Sequence, residues 1–528
     1  MPWDKQLVKS VGRMLVGRLP ATELDDRTAS ALGEGTIGGI CLFKENASDL
    51  EQLTQLVAAI RQNAADPIIC VDQEGGAVQR FDHILSTLPS MMAIAATGKL
   101  ENARSMARIS AVQLAAVGIN CVLAPVLDVA SHYANPIIGT RAFSSNPATV
   151  AEFGKAMLQT FNRSGIVSVG KHFPGHGGTA EDSHSELAVN HARMEVLRKR
   201  DLAPFVECLP HARGILTAHV WVSALDEDPL PASLSANACR RLLREEFNYD
   251  GVIFTDDMTM KAVSDKYGLG EASIRAIEAG ADVILLCSGT EGLVEAHAKI
   301  VQAVQSGRLK EQAIIEANLR IEREFAKSAS SRLPADLATL KESIEEGAGL
   351  SLAVSRAALT QLKGQPPSLK DREWLIVAPA HPRYKLPLAD EIRKAAMDPH
   401  WRANQTGAVS IAKCEEWRYP PDPSEEDCLR AAHAAKGKNV LFLTFRAFNN
   451  RGQSSLGSSL RQSAASIFGI AADTPYDSVA LPDIPNYICT FDPSNGAVKG
   501  LAQVLVSGEE LTGTCPVDVS AAASSAGA

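Results

Sequence analysis

The chain has 528 residues, enough for two or three domains, because a parallel α/β barrel takes about 250 residues by itself. Hydrophobic residues make up 45% and charged residues 21%, which excludes a long disordered or fibrous chain. Lys and Arg total 52 and Asp and Glu total 61, so the formal net charge is −9, and no basic tract offers a surface for phosphate backbones. The sequence therefore predicts no nucleic-acid partner.

The N-terminal segment 1–20 carries Lys5, Lys9, Arg13 and Arg18 among its apolar residues, so it lacks the pattern of a secretory signal. The apolar runs of the chain are much shorter than the roughly 20 residues of a membrane-spanning helix. Ten cysteines are scattered without a Cys-x-x-Cys pair, which favours buried, reduced thiols. We expect no membrane association and a cytoplasmic location.

Short apolar runs followed by helical spacing recur through the first two thirds of the chain, as repeated βα units require. This pattern predicts an α/β protein in which a (β/α)8 TIM-like barrel is followed by a smaller α/β sandwich domain. Seven of the eight barrel strands are visible: Gly38 to Phe43, Pro67 to Asp72, Asn120 to Val129, Ile166 to His172, Gly214 to Val222, Gly251 to Asp256 and Ala281 to Ser288.

The domain boundaries follow from a break after a charged amphipathic helix that begins at Glu311. Leu333 and Pro334 interrupt that helix, so we predict a barrel domain over 1–334, a linker over 335–349 and a second domain over 350–528. In the second domain we expect a helix Leu350 to Leu362, strands Trp374 to Val377 and Asn439 to Leu443, and a helix Leu388 to Ala396.

Polar residues cluster where the predicted barrel strands end, and the loops at that end of a barrel build its active site. A single such residue is more often part of a solvated loop or a buried ion pair. Five strand ends of this kind together favour an active site. They are Asp72 to Gly76, Asp128, Lys171 to His176, His219 and Thr255 to Asp257.

The loop 171–184 holds one lysine, three histidines and two acids among several glycines. Pro174 opposes a helix that would bring His172 and His176 together as metal ligands, and no further ligands have familiar spacing, so we predict no metal. Asp182 and His184 are more informative, because a carboxylate beside an imidazole favours the protonated ring that a general acid needs. A surface ion pair is the simpler alternative for these two residues.

The segment 242–259 runs from a helix into an apolar strand that ends in Asp256 and Asp257, where a carboxylate would project over the barrel mouth. Its order of two aliphatic residues, a basic residue, Gly251, three apolar residues, a threonine and an aspartate resembles the signature of glycoside hydrolase family 3. The resemblance implies that Asp256, and not Asp257, is the nucleophile.

The loop 171–184 is similar to that of the β-N-acetylglucosaminidase branch of this family, in two-domain form. The resemblance implies that His184 is the acid/base, that Asp182 orients it, and that five other residues bind the sugar: Asp72, Arg80, Arg141, Lys171 and His172. Two positions depart from the branch: Ala77 stands where an arginine is common and Gly178 where an aspartate is common. These departures affect subsite preference and loop rigidity and leave the assigned residues intact.

The implied activity is that of a retaining exo-β-N-acetylglucosaminidase, a glycoside hydrolase that needs no cofactor. It would release terminal, non-reducing N-acetylglucosamine from cell-wall fragments, including muropeptides, or from chitooligosaccharides. Three alternatives stay open: a phosphorylase in which phosphate replaces water, a β-glucosidase with Glu415 or Glu416 as its acid, and a sugar-binding protein without catalysis. The last requires a missing nucleophile or acid, whereas Asp256 and His184 are both present.

Overall fold

The first two thirds of the chain form a closed parallel barrel. The computed structural model describes residues 5–181, 186–326, 337–369, 373–398, 401, 413–520 and 522. The barrel strands are β1 (Leu15–Arg18), β2 (Gly39–Leu42), β3 (Ile68–Val71), β4 (Cys121–Val122), β5 (Val167–Phe173), β6 (Gly214–Thr217), β7 (Val252–Thr255) and β8 (Ile284–Leu286). They are hydrogen-bonded in the order β7-β6-β5-β4-β3-β2-β1-β8, and a parallel bridge between Phe254 and Val283 joins β7 to β8.

Helices and short accessory strands surround this barrel. Two short strand pairs lie outside it, Gln73–Gly75 with Val78–Gln79 and Ala188–Asn190 with Val220–Val222. Side-chain caps begin several helices: Asp49, for example, accepts the Gln52 N–H at 2.9 Å. The helices are Lys5–Gly12, Asp26–Glu34, Leu50–Asn63, Met91–Ala96, Leu100–Ala116, Pro147–Arg163, Met194–Lys199, Ala203–Cys208, Asn237–Glu246, Lys261–Tyr267, Leu269–Ala279, Thr290–Gln305 and Glu311–Phe325.

The barrel prediction is confirmed, and each of the seven predicted ranges overlaps a barrel strand. The range Asn120 to Val129 is strand only at Cys121–Val122, and Gly214 to Val222 is divided between β6 and a short accessory strand. The eighth strand is Leu15–Arg18, inside the N-terminal segment. This strand has only four residues and ends in Arg18, so it is too short to show the alternating pattern by which a strand is recognised in a sequence.

The second domain is built on a six-stranded sheet with helices on both faces, as predicted. Its strands are β9 (Thr360–Lys363), β10 (Glu373–Pro379), β11 (Lys413–Tyr419), β12 (Asn439–Thr444), β13 (Ser466–Ala471) and β14 (Tyr487–Cys489). Five parallel strands and one antiparallel edge strand, β9, follow the order β9-β14-β13-β12-β10-β11. The helices are Leu388–Met397, Glu425–Ala435, Arg451–Ser463, Asp477–Ala480 and Asn495–Ser507.

One long helix, Leu337–Ala358, occupies residues 337–349 of the range for which a linker was predicted. It also corrects the predicted helix Leu350 to Leu362, because the chain leaves the helix at Ala358 and Thr360–Lys363 pairs as an edge strand. We call Leu337–Ala358 the connecting helix. It packs along barrel helix Leu100–Ala116, so it is part of the folded structure. The boundaries 1–334 and 350–528 stay a prediction.

The two domains share an apolar interface. Barrel residues Met92, Ala93 and Ile138 belong to the same buried cluster as Phe442 and Leu456 of the second domain. The burial of this cluster holds the carboxyl ends of the second domain's strands against the barrel mouth. In the part of the chain that the structure describes, no helix has the length and apolar character needed to cross a membrane.

Candidate active site at the carboxyl ends of the barrel strands

A cavity of about 390 Å³ opens at the carboxyl ends of the barrel strands. A larger concavity of about 1120 Å³ lies near the amino ends of β6 and β7, but barrel enzymes place their chemistry at the carboxyl ends. The smaller cavity therefore is the candidate active site. Six residues that the sequence assigned to catalysis or sugar binding line it: Asp72, Arg80, Arg141, Lys171, His172 and Asp256.

Ion pairs connect the polar residues on one wall of the cavity. Lys171 Nζ lies 2.6 Å from Asp72 Oδ1 and 2.5 Å from Glu74 Oε1. Arg80 Nη2 donates to Asp72 Oδ2 at 3.1 Å, and Arg141 binds both oxygens of Glu74 at 2.9 and 2.8 Å. Glu74 is fully buried, and its two cationic partners compensate its charge. The wall is thus a preorganised set of donors and acceptors.

The protonation states of this wall follow from its charges. Burial alone would raise the pKa of Asp72, but Lys171 and Arg80 hold that pKa well below its ordinary value. Burial also opposes ionisation of Glu74, whose pKa is nevertheless lowered by Arg141 and Lys171. The pKa of Lys171 is raised, because its two carboxylate partners outweigh its burial. All these groups are therefore charged at neutral pH.

A buried aspartate orients the two histidines that follow β5. Asp128 Oδ2 lies 2.6 Å from His172 Nδ1, and Asp128 Oδ1 accepts the backbone N–H of His176 at 2.6 Å. Arg141 Nη2 lies 3.2 Å from His172 Nε2. Because a guanidinium only donates, His172 Nε2 is the acceptor and Nδ1 carries the proton toward Asp128. The ring of His172 is held in one tautomer.

Asp256 follows β7 directly and lines the cavity. Its Oδ1 accepts the Asp257 N–H at 2.9 Å, and its own N–H donates to Thr217 O at 2.9 Å. Burial would raise the pKa of Asp256, but His219 and His172 lower it further than burial raises it. The carboxylate is therefore ionised, as a nucleophile must be.

Asp257 has a different role from its neighbour. Its Oδ1 accepts the N–H groups of Thr259 and Cys287, both at 2.9 Å, and its Oδ2 lies 2.6 Å from Thr259 Oγ1. These bonds fix the loop after β7. His219 supports the same loop, since its Nε2 donates to the Asp257 carbonyl at 2.9 Å. The assignment of the reacting carboxylate to Asp256 stays a prediction.

The predicted acid/base pair, Asp182 and His184, lies outside the described residues. Upstream, the loop 175–179 is tightly packed: Asn135 Nδ2 donates to the carbonyls of His176 and Thr179, each at 2.9 Å. A Cβ at Gly177 would come within 1.8 Å of Val129 O, so this glycine permits a close backbone approach. Gly177 is therefore required for the packing of this loop against Val129.

Glu415 and Glu416, the acids of the β-glucosidase alternative, are not among the residues that line the cavity. Both lie on β11 at the edge of the second sheet, where Glu415 pairs with Lys438 and Glu416 with Arg418. Neither glutamate flanks a bond that Asp256 could attack. The second domain instead contacts the barrel mouth through Arg446, whose Nη1 donates to Pro136 O at 3.1 Å.

Residues 6–323 match the glycosyl hydrolase family 3 N-terminal domain. The chain belongs to glycosyl hydrolase family 3. The β-hexosaminidases of Idiomarina loihiensis and Tolumonas auensis are 35% and 37% identical to it over 285 and 283 residues. Each alignment covers 52% of this chain, and they cover 84% and 82% of the two relatives.

A solved structure resembles the whole chain of this family 3 member. It is a family 3 β-N-acetylglucosaminidase from Paenibacillus sp., with a TM-score of 0.88 and 30% identity, and the match covers 97% of this chain and 99% of that one. A β-glucoside phosphorylase, at 19% identity and a TM-score of 0.80, shares the fold. The two-domain arrangement therefore recurs in the family.

Three residues at this family 3 site were given no role by sequence reasoning: Glu74, Asp128 and His219. All three lie in the polar clusters at the predicted strand ends, so the sequence did place them near the active site. Their roles depend on partners from other strands, such as Arg141 for Glu74 and His172 for Asp128, and one sequence does not reveal such pairs.

Proposed function

We propose that this protein is a retaining exo-β-N-acetylglucosaminidase. The observation that carries the proposal is the ionised Asp256 in a cavity of about 390 Å³, a volume suited to one sugar ring. Ion-paired side chains that offer donors and acceptors line the same cavity. The β-hexosaminidase and β-N-acetylglucosaminidase names of the relatives support an N-acetylated sugar as the substrate.

In the proposed mechanism, an Asp256 carboxylate oxygen forms a bond to the anomeric carbon while the bond to the leaving oxygen breaks. His184, as imidazolium oriented by Asp182, gives its proton to that oxygen. The neutral imidazole then takes a proton from water, whose oxygen attacks the anomeric carbon and releases Asp256. Two inversions give retention of the β configuration.

The sugar would be held by hydrogen bonds to its hydroxyl groups. Asp72 and His172 offer acceptors or donors, and Lys171, Arg80 and Arg141 offer charged donors. Because each is already fixed by an ion pair or a hydrogen bond, little side-chain entropy is lost when the sugar binds. This is the physical reason for the dense pairing on the cavity wall.

The charge balance of the site favours water over phosphate as the acceptor. Its cations, Arg80, Arg141 and Lys171, are matched by at least as many carboxylates, Asp72, Glu74 and Asp256 among them. A phosphate ion would meet no surplus of positive charge among the described residues. Phosphorolysis is thus the second candidate function. It would require the segment that holds His184 to bind the phosphate.

We further propose a cytoplasmic location and a substrate derived from the cell wall, such as a muropeptide, with chitooligosaccharides as the other candidate. The ten cysteines support a reducing compartment, since all are free and seven are buried. Both classes of substrate present one terminal N-acetylglucosamine, and the cavity has room for one sugar.

Nitrophenol release from the nitrophenyl β-N-acetylglucosaminide and the β-glucoside, without and then with phosphate, tests the proposal. We expect turnover of the N-acetylated substrate without phosphate. Phosphate-dependent formation of sugar 1-phosphate would assign the chain to the phosphorylases. Turnover of the glucoside alone would remove the role of His184, and no turnover of either would leave the sugar-binding alternative.

A further inference from the structure

A row of cysteines crosses three neighbouring barrel strands and adjoins the catalytic cavity. Cys41 on β2 is the register partner of Cys70 on β3, and Cys70 is that of Cys121 on β4. Cys287 follows β8 directly, and Cys41 and Cys287 both line the catalytic cavity. All four are free thiols, and the proposed mechanism uses none of them. We call Cys41, Cys70 and Cys287 the thiol cluster.

Cys41 is the central member of the thiol cluster. Its side chain is hydrogen-bonded to the thiols of Cys287 and Cys70. These hydrogen bonds, that of Cys287 most of all, lower the pKa of Cys41 by more than its burial raises it. The pKa values of Cys70 and Cys287 are raised. Cys41 is thus the member of the cluster that forms a thiolate most readily, and the thiolate is the species that reacts with oxidants.

The sheet determines which cysteine can form a disulfide with Cys41. Adjacent strands are about 4.8 Å apart, so the Cα atoms of the register partners Cys41 and Cys70 are within the roughly 4.4–6.8 Å that a disulfide spans. Cys287 follows β8, and β1 lies between β8 and β2. Cys70 is fully buried and is not among the residues that line the cavity. An oxidant that enters the cavity therefore reaches Cys41 first, and Cys70 is the neighbouring thiol.

We propose that Cys41 is an oxidation site through which hydrogen peroxide controls the catalytic cavity. The Cys41 thiolate attacks one oxygen of the peroxide, the O–O bond breaks and hydroxide leaves, so that Cys41 becomes a sulfenic acid. The Cys70 thiol then attacks the Cys41 sulfur, the S–O bond breaks, and the hydroxyl leaves with the Cys70 proton as water. Two thiols are oxidised to a disulfide, and the peroxide is reduced. Transient disulfides of this kind occur in reducing compartments.

The thiol cluster is close to the sugar-binding pair Asp72 and Arg80. The charges of both residues act on Cys41, whose pKa Asp72 raises and Arg80 lowers. Cys70 precedes Asp72 by two residues, and the ring of Phe43, two residues after Cys41, lies 5.1 Å from the guanidinium carbon of Arg80. A disulfide would draw the carboxyl ends of β2 and β3 together and displace this pair. We expect the oxidised protein to bind the sugar more weakly, a consequence that rests on the proposed function, whereas the oxidation itself does not.

Peptide mapping tests the oxidation site without an assay of activity. The reduced full-length protein is treated with hydrogen peroxide, the remaining thiols are blocked with iodoacetamide, and the digest is analysed by mass spectrometry. We expect a disulfide between Cys41 and Cys70 that dithiothreitol reverses. It should form at peroxide concentrations that leave Met397 intact, although this side chain is 76% exposed.

Two variants separate the roles of the cysteines. Cys70→Ala removes the resolving thiol, so a sulfenic acid at Cys41 should accumulate and be trapped by dimedone. Cys121→Ala is the matched control, because Cys121 is as buried as Cys70 and is its other register partner, and the yield of the disulfide should not change. An unmodified Cys41 in wild-type protein whose Met397 is oxidised, or a disulfide between Cys70 and Cys121, would overturn the inference.

Steady-state kinetics test the effect on the cavity separately. We expect the KM of the wild type for the nitrophenyl β-N-acetylglucosaminide to rise about tenfold on oxidation and to recover with dithiothreitol. The KM of Cys41→Ala should be the same before and after peroxide. An unchanged KM in wild type that carries the disulfide would overturn control of the cavity by Cys41. If the reduced protein cleaves no β-N-acetylglucosaminide, the proposed function fails, and the peptide mapping still tests the oxidation site.

Discussion

Asp256 and Asp257 are adjacent in the chain, yet their carboxylates have different partners. Asp257 accepts two backbone N–H groups and contacts a threonine hydroxyl, whereas Asp256 accepts one backbone N–H and faces the cavity. The pKa of Asp256 is lowered by His219 and His172 despite burial. These contacts support the proposal that Asp256, and not Asp257, is the nucleophile.

Replacement of each aspartate by asparagine tests this distinction. We expect Asp256→Asn to lower kcat by at least about 10⁴-fold with little change in Tm, because a neutral amide cannot form the glycosyl ester. Asp257→Asn keeps an oxygen for the Thr259 and Cys287 N–H groups, so we expect less than about a tenfold loss. Steady-state kinetics on the nitrophenyl substrate measure both losses. A larger loss of kcat in Asp257→Asn than in Asp256→Asn would assign the nucleophile to Asp257.

Glu74 offers a second test at the residue scale. Glu74→Gln leaves the buried charges of Lys171 and Arg141 less compensated, so we expect a loss of about 3 kcal/mol in the free energy of unfolding and a raised KM. Glu101→Gln is the control, because Glu101 pairs with Arg104 at the exposed surface and should cost less than about 1 kcal/mol. Urea unfolding measures both, and equal losses would contradict the compensating role of Glu74.

The sequence was informative about residues whose chemistry shows in a local pattern. Asp72, Lys171 and Asp256, from three different strands, do converge on one cavity. The supporting contacts were not predictable, because Asp128 orients His172 only when β4 and β5 lie side by side. Asp182 and His184 remain predictions.

At the scale of elements, strand periodicity located seven of the eight barrel strands. The connecting helix was the main difference, because its apolar side is narrow and a Leu-Pro pair just precedes it. It is held by contacts that no local pattern encodes, such as those of Gln113 Nε2 with Ser343 O and of Ser86 Oγ with Ile344 O, both at 3.0 Å. Packing against the barrel decides its length.

Two glycines in the connecting helix provide a matched pair of variants. A Cβ at buried Gly347 would lie 2.2 Å from Ser86 Oγ and 2.7 Å from Ile109 Cγ2, whereas a Cβ at exposed Gly349 meets nothing within 4 Å. We expect Gly347→Ala to destabilise by about 1–3 kcal/mol and Gly349→Ala to stabilise by up to about 1 kcal/mol. Thermal unfolding shows whether each variant is more or less stable than the wild type. Stabilisation by Gly347→Ala would contradict the close packing of this helix on the barrel.

At the scale of the whole molecule, the two domains join by the carboxyl ends of their strands. Ser90 at the barrel side donates its N–H to buried Asp492 at 3.1 Å, and Thr140 donates to Asp473 at 2.9 Å. The second domain therefore contains several buried carboxyl groups close to the interface. Their ionisation links the stability of the assembled protein to pH.

Asp477 gives this linkage a direction. Burial raises its pKa to about 7, well above its ordinary value of 3.8. Between these two values the folded state holds a proton that the unfolded state has lost, so stability falls as pH rises from about 4 to 7, by about 1.4 kcal/mol per unit.

We expect Asp477→Asn to reduce the fall in unfolding free energy between pH 5 and pH 8. Asp518→Asn is the control, since Asp518 is exposed and its pKa is lowered, so the slope in this range should not change. Urea unfolding at both pH values measures the effect. If the unfolding free energy of Asp477→Asn falls between pH 5 and pH 8 as much as that of the wild type, Asp477 is not the source of the pH dependence.

We propose that Asp256 forms a covalent bond to N-acetylglucosamine during turnover. A 5-fluoro analogue with a good leaving group slows the release of the glycosyl-enzyme, so the bound sugar can be located by mass spectrometry of the digested protein. We predict one labelled peptide, modified at Asp256. A label on Asp257 or another carboxylate, or turnover of the analogue without any covalent adduct, would contradict the account.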